Sequence, residues 1–217
     1  YARVFDNTFN TFAFLLNNHS GAHYNYPRST VLFRTIANNP HLRKRLLNRL
    51  GDLLNTVLTP TNTLKILDSL TNLIAPSMDK QCNRWNLSLD EWKKQIEIVK
   101  LFLETRSQTL INSAVKSKVA PKGVFTLNVS VQPIKAASLQ INDLPAHFKP
   151  FNGKYFHDAP VHITLKPING FRFIGWKELD FNQDLSIEFS SADSVHSLTA
   201  VFVLDELFEP TSTIAIN

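Results

Sequence analysis

The 217-residue chain carries 23 Lys/Arg against 18 Asp/Glu, and its 43% apolar fraction, which includes sixteen Phe, excludes wholesale disorder. One cysteine, Cys82, excludes an intrachain disulfide and argues against a Cys-based zinc site, which needs several ligands at short spacing. No run approaches the roughly 20 apolar residues that span a bilayer.

The charge is unevenly spread. Residues 1–120 hold sixteen Lys/Arg and eight Asp/Glu, whereas residues 121–217 hold seven and ten. Two units with different surfaces are expected, the first basic enough to meet phosphate or an acidic partner. The start at Tyr1 without a cationic-then-apolar leader, and the strand-like Ile214-Ala215-Ile216-Asn217, lead us to expect a piece of a longer polypeptide.

In chain order, residues 1–27 are rich in Asn, aromatics and Gly, and are expected to be irregular apart from a short helix at Phe9–Leu16. Ser29 or Thr30 should cap a helix carrying Val31, Leu32, Phe33 and Ile36, ending at Asn38-Asn39 before Pro40. Within Pro40–Leu58, Leu42, Leu46, Leu50, Leu53 and Val57 recur at helical spacing and are expected to form a core face. Arg43, Lys44, Arg45 and Arg49 occupy the other sides. A solvated face is preferred over a nucleic-acid patch for them, because no aromatics interleave to stack bases.

Thr59-Pro60-Thr61 should break that helix, with Leu64, Leu67, Leu70 and Ile74 carrying the next one to Ala75-Pro76. Ser88-Leu89-Asp90-Glu91 has the form of a capping box, in which the Ser hydroxyl and the Glu carboxylate satisfy free amides. Trp92, Ile96, Val99 and Leu103 then mark a last long helix.

Beyond Pro121-Lys122-Gly123 the period changes from 3.6 to 2. Phe125, Leu127, Val129 and Val131 alternate with polar residues, as do Val161, Ile163 and Leu165. Further strands are expected at Ser138–Asn142, Phe171–Trp176, Leu185–Phe189 and Leu198–Val203. Asn152-Gly153 and Asn169-Gly170 read as turns between them, predicting an antiparallel sheet or small sandwich. The fold class is therefore α+β. The expected domains are a helical part over 1–120, a β domain over 121–206, and a linker or the start of a further domain over 207–217.

The helical half contains Asn10-Thr11-Phe12, Ser29-Thr30-Val31-Leu32-Phe33-Arg34, Asn39-Pro40-His41-Leu42-Arg43, Arg45, Asn48-Arg49 and Asp52-Leu53-Leu54-Asn55-Thr56. It continues through Ile74-Ala75-Pro76-Ser77-Met78 and Arg84-Trp85. This ordered series resembles the C-terminal part of the CotH family of spore-coat and secreted kinase-like proteins, over about residues 8–115. The resemblance implies an atypical protein kinase fold whose helical lobe ends the domain. It also implies ATP and a divalent metal held by a lysine and aspartates that precede the stretch matching Asn10-Thr11-Phe12. Asp6 is the only acidic residue before Asp52, and Val4-Phe5-Asp6-Asn7 lacks the second aspartate of an Asp-x-Asp motif. No catalytic, cofactor-binding or metal-binding residue is therefore assigned to this chain, and no cofactor is expected in it.

Gly153-Lys154-Tyr155, Val161 to Pro167, Gly170 to Trp176 and Leu198 to Phe202 resemble a divergent InlB B-repeat over about residues 123–204. Such modules imply a spacer or adhesion role at a bacterial surface, hence a secreted or cell-surface location. The partners implied are a protein substrate of the intact parent and a cell-surface or carbohydrate ligand for the β domain, with no nucleic acid and no membrane span. Trp176 is expected in the β core.

His19 and His23 stand four apart, but Gly21 intervenes and no third ligand is evident. His41, His147, His157, His162 and His196 are scattered, with His162 and His196 expected on strand surfaces. No Gly-rich phosphate loop and no Gly-x-Ser-x-Gly elbow occurs.

Overall fold

The computed structural model describes residues 7–17, 28–190 and 195–205. The chain divides into two compact units, Tyr1–Gly123 and Val124–Asn217. Five helices lie in the first and seven strands in the second among the described residues, an α+β chain.

In the helical unit, α1 (Thr11–Leu16) starts where the Asn10 Oδ1 accepts from the Ala13 N–H at 2.9 Å. Helix α2 (Val31–Asn38) follows Thr30, whose hydroxyl does not cap the helix. It accepts instead from the Arg34 guanidinium one turn on. Helix α3 (Pro40–Asn55) opens with Pro40 in its first turn, and Asn39 Oδ1 accepts from the amides of His41 and Leu42 at 3.0 and 3.1 Å.

The buried residues of α3 are Leu47, Gly51, Asp52 and Leu54. The expected face is thus displaced: Leu42, Leu46, Leu50 and Leu53 are half-buried, and Val57 lies beyond the helix and is exposed. A Leu-rich amphipathic helix offers two adjacent apolar stripes, and spacing alone cannot say which one its neighbours cover.

Helix α4 (Pro60–Trp85) does not stop before Pro76 but runs through it. Proline removes one N–H bond and crowds the preceding turn. Packing along α5 (Leu89–Lys116) offsets that loss. Asn86 in the left-handed region, φ 51°, ends α4, and its own N–H and that of Leu87 both reach the Cys82 carbonyl. Ser88 Oγ then accepts from the Glu91 N–H at 3.3 Å. Only half of the expected capping box forms, since the Glu91 carboxylate accepts from Gln95 Nε2 at 2.8 Å instead.

In the second unit, β1 (Val124–Gln132), β3 (Phe151–Phe156), β5 (Phe171–Trp176) and β7 (Val195–Leu204) make one sheet, ordered β3-β1-β7-β5. Strands β2 (Ala137–Ile141), β4 (Val161–Pro167) and β6 (Ser186–Phe189) make a second, ordered β2-β4-β6. All pairs are antiparallel except β1 with β7, which is parallel. Asn152-Gly153 is not a turn but the middle of β3, opposite Asn128 and Leu127. Gly153 is buried there and contributes backbone pairing without a side chain.

Phe125, Leu127 and Val129 of β1, Ile163 and Leu165 of β4, and Leu198, Ala200 and Phe202 of β7 point into one core with Trp176. His196 follows the same parity. It is half-buried with its ring 4.4 Å from that of Phe189, and so is not the surface residue expected. His162 does lie on the outer face, 3.5 Å from the Glu188 carboxylate across the β4–β6 pair.

Candidate functional site

The best-anchored feature of the helical unit is the segment before α1. Arg106 on α5 donates to the Phe9 carbonyl at 3.1 Å and to the Thr11 hydroxyl, and its guanidinium lies over the Phe102 ring at 5.4 Å. Thr109 donates to the Asn7 carbonyl at 2.9 Å, and Ser117 reaches Asn10 Oδ1 at 3.1 Å. Side chains from one helix and its cap thus fix the stretch that leads into α1. Sequence reading missed this role of Arg106, because its partners lie about a hundred residues away. Replacing Arg106 by alanine removes two hydrogen bonds from a charged donor, at about 1.5–3 kcal/mol each. Amide hydrogen exchange of α1 is expected to accelerate by more than about tenfold while the β unit is unchanged; unchanged α1 exchange would show the clamp to be incidental.

The outer sides of α4 and α5 are unusually apolar. Leu70 is 55% exposed, Leu73 75%, Ile98 45% and Leu101 55%. Scattered exposed Leu is ordinary, but here the residues recur at helical spacing on two adjoining helices. The acidic groups of the hairpin are solvated. Glu97, 3.0 Å from Lys100 Nζ, holds that ammonium above its ordinary pKa, with Asp68 of α4 and Glu104 adding to the effect.

Asp6, His19 and His23 lie outside the described residues. Asp52, the first acidic residue after Asp6, is 1% exposed on α3. Among the described residues no three of His, Cys, Asp and Glu come close enough to hold a metal ion. The described residues therefore supply no group to which a metal-nucleotide centre or a step of phosphoryl transfer is assigned. Cys82 is a buried free thiol. No described helix is long and apolar enough to cross a membrane.

The β unit carries a groove of about 250 Å³ on the solvent face of the four-stranded sheet. Pro150 just before β3, Asn152 of β3, Asn128 and Ser130 of β1, and Ser197 and Thr199 of β7 line it, together with Val129, Phe151 and Leu198. The alternation of β1 and β7 placed these polar residues on the outer face. That β7 lies beside β1, bringing both sets together, was not readable locally.

Comparison with known proteins bears on the helical unit. Residues 5–110 match the family model described as CotH kinase protein. The match ends before β1 begins, so it speaks for the CotH resemblance of the helical unit and not for the β unit. No curated protein and no solved structure gives a significant match to the chain.

Proposed function

We propose that this chain is the C-terminal part of a secreted bacterial CotH-type kinase-like domain, residues 1–120, joined to an accessory β module over 121–206. The family match over residues 5–110 is the observation that carries this reading. The apolar outer sides of α4 and α5 support it, since such faces suit helices that are covered within a larger lobe. In the intact parent, ATP and a divalent metal would be bound by groups that precede this chain, and a protein would be the phosphoacceptor.

No phosphotransfer is therefore expected from the 217-residue chain. Losing even one group of a cooperative phosphoryl-transfer site lowers the rate by orders of magnitude. Labelled ATP with Mg²⁺ or Mn²⁺ is the test. Transfer that survived stringent purification and vanished in Asp6→Ala would place the catalytic centre within this chain and overturn the reading.

A second reading is a non-catalytic binding or spacer role at the cell surface, exercised by the β unit. The uncharged groove on its outer sheet face, lined by both polar and apolar residues, favours it.

A further inference from the structure

We propose that the groove across β3, β1 and β7 is a binding site for a neutral saccharide chain. This rests on taking the β unit as a binding module and is independent of any phosphotransfer by the parent.

The groove is built from rows that cross strands. Asn152, Asn128 and Ser197 are register partners, so their side chains stand side by side on three adjacent strands. Asn152 Nδ2 donates to Asn128 Oδ1, and Asn128 Nδ2 donates to Ser197 Oγ at 3.3 Å. This fixes the row in one direction. It leaves Asn152 Oδ1 as an acceptor at one end, the Ser197 hydroxyl proton at the other, and one amide hydrogen on each Asn.

Ser130 and Thr199 form the next row. The Glu178 carboxylate accepts from the Thr199 N–H at 2.6 Å and from the Thr199 hydroxyl at 2.9 Å. Thr199 Oγ1 therefore keeps its lone pairs for a ligand, and the nearest carboxylate is already engaged.

The lining thus sets these donors and acceptors among apolar surface from Val129, Pro150, Phe151 and Leu198, as the hydroxyls and C–H faces of a sugar ring require, and contains no charged side chain. Adjacent sugar hydroxyls each donate and accept, which suits such a lining. A phosphate or carboxylate would find no cation, and an ammonium no free anion. About 250 Å³ lies just below the ~300–1,000 Å³ of drug-sized pockets and fits about one sugar ring. The side chains held by their own hydrogen bonds lose little freedom on binding.

The test is a titration of the full ¹⁵N-labelled chain with maltotetraose, cellotetraose and chitotetraose, to about 20 mM, because a site of this size is expected near a millimolar Kd. At least one of them should give saturable shifts at Asn128, Ser130, Asn152, Ser197 and Thr199, including the Asn side-chain amides. Asn128→Ala, which breaks the row, and Ser130→Ala, which removes only a hydroxyl, should each weaken binding about three- to tenfold with the thermal melt unchanged. Absence of saturable shifts with all three sugars would overturn the proposal. So would shifts mapping elsewhere, or equal response to inorganic phosphate.

Discussion

Gly175→Ala is expected to unfold the β unit or leave it barely stable. Gly175 sits in β5 at φ 146°, a conformation L-residues rarely adopt, and an added Cβ would overlap the Phe181 carbonyl group and stand 2.7 Å from its Cα. That carbonyl belongs to backbone held in place, because the Phe181 N–H donates to the Trp176 carbonyl at 3.0 Å and the Trp176 N–H to the Asn182 carbonyl at 2.9 Å. The clash cannot be relieved by turning a side chain. Strain and overpacking each cost about 1–3 kcal/mol, so a loss on the order of 3 kcal/mol or more is expected, enough to lower the melt of a domain this size by about 12–24 °C. Gly123→Ala is the control. At φ 79° it suffers the backbone strain, yet nothing lies within 4 Å of its Cβ. The expected cost there is about 1 kcal/mol. Equal costs at the two positions would show that the close approach to Phe181 does not matter.

Trp176→Ala should be at least as damaging. The side chain is 0% exposed, its ring meets Phe173 edge-on at 6.0 Å, and its Nε1 donates to the Asp184 carbonyl at 3.0 Å. Truncating a buried Trp costs about 3–5 kcal/mol, against a total stability of roughly 5–15 kcal/mol for a whole domain. Hydrogen exchange of the β1 and β7 amides in the full chain reads the loss without interference from Trp85 and Trp92, which belong to the helical unit. Exchange is expected to approach the unfolded rate. Trp176→Phe keeps most of the ring packing and should fall between. If the alanine variant melted like the parent and lost only saccharide binding, Trp176 would be a recognition residue instead of a core residue.

Trp176 also shows where local pattern stops being informative. Phe171 and Phe173 alternate, so strict parity would send Trp176 to the opposite face. The register of β5 on β7 slips between Phe173 and Gly175, with Phe173 opposite Phe202 and Gly175 opposite Val201. The extra residue, Ile174, turns Trp176 inward. Its apolar bulk argued for burial from sequence, but only the pairing with β7 explains how it gets there.

The change of hydrophobic period after Pro121, the cap at Ser88, and the alternation of β1 and β4 are local properties. They follow from backbone propensity and from which face a residue occupies, and the α+β class was legible from them. The motif series that resembles the CotH family was likewise present in the linear order of residues, and the family match covers nearly the same stretch. Long-range choices were not legible. The buried stripe of α3 moved to Leu47 and Leu54 because neighbouring elements select one of two equivalent apolar faces. Asn152-Gly153 has turn residues yet lies mid-strand, since pairing with β1 outweighs the local preference of two residues. The candidate groove depends wholly on such pairing: Asn152, Asn128 and Ser197 are far apart in the chain and become neighbours only because β1 is hydrogen-bonded to β3 on one side and, in parallel, to β7 on the other.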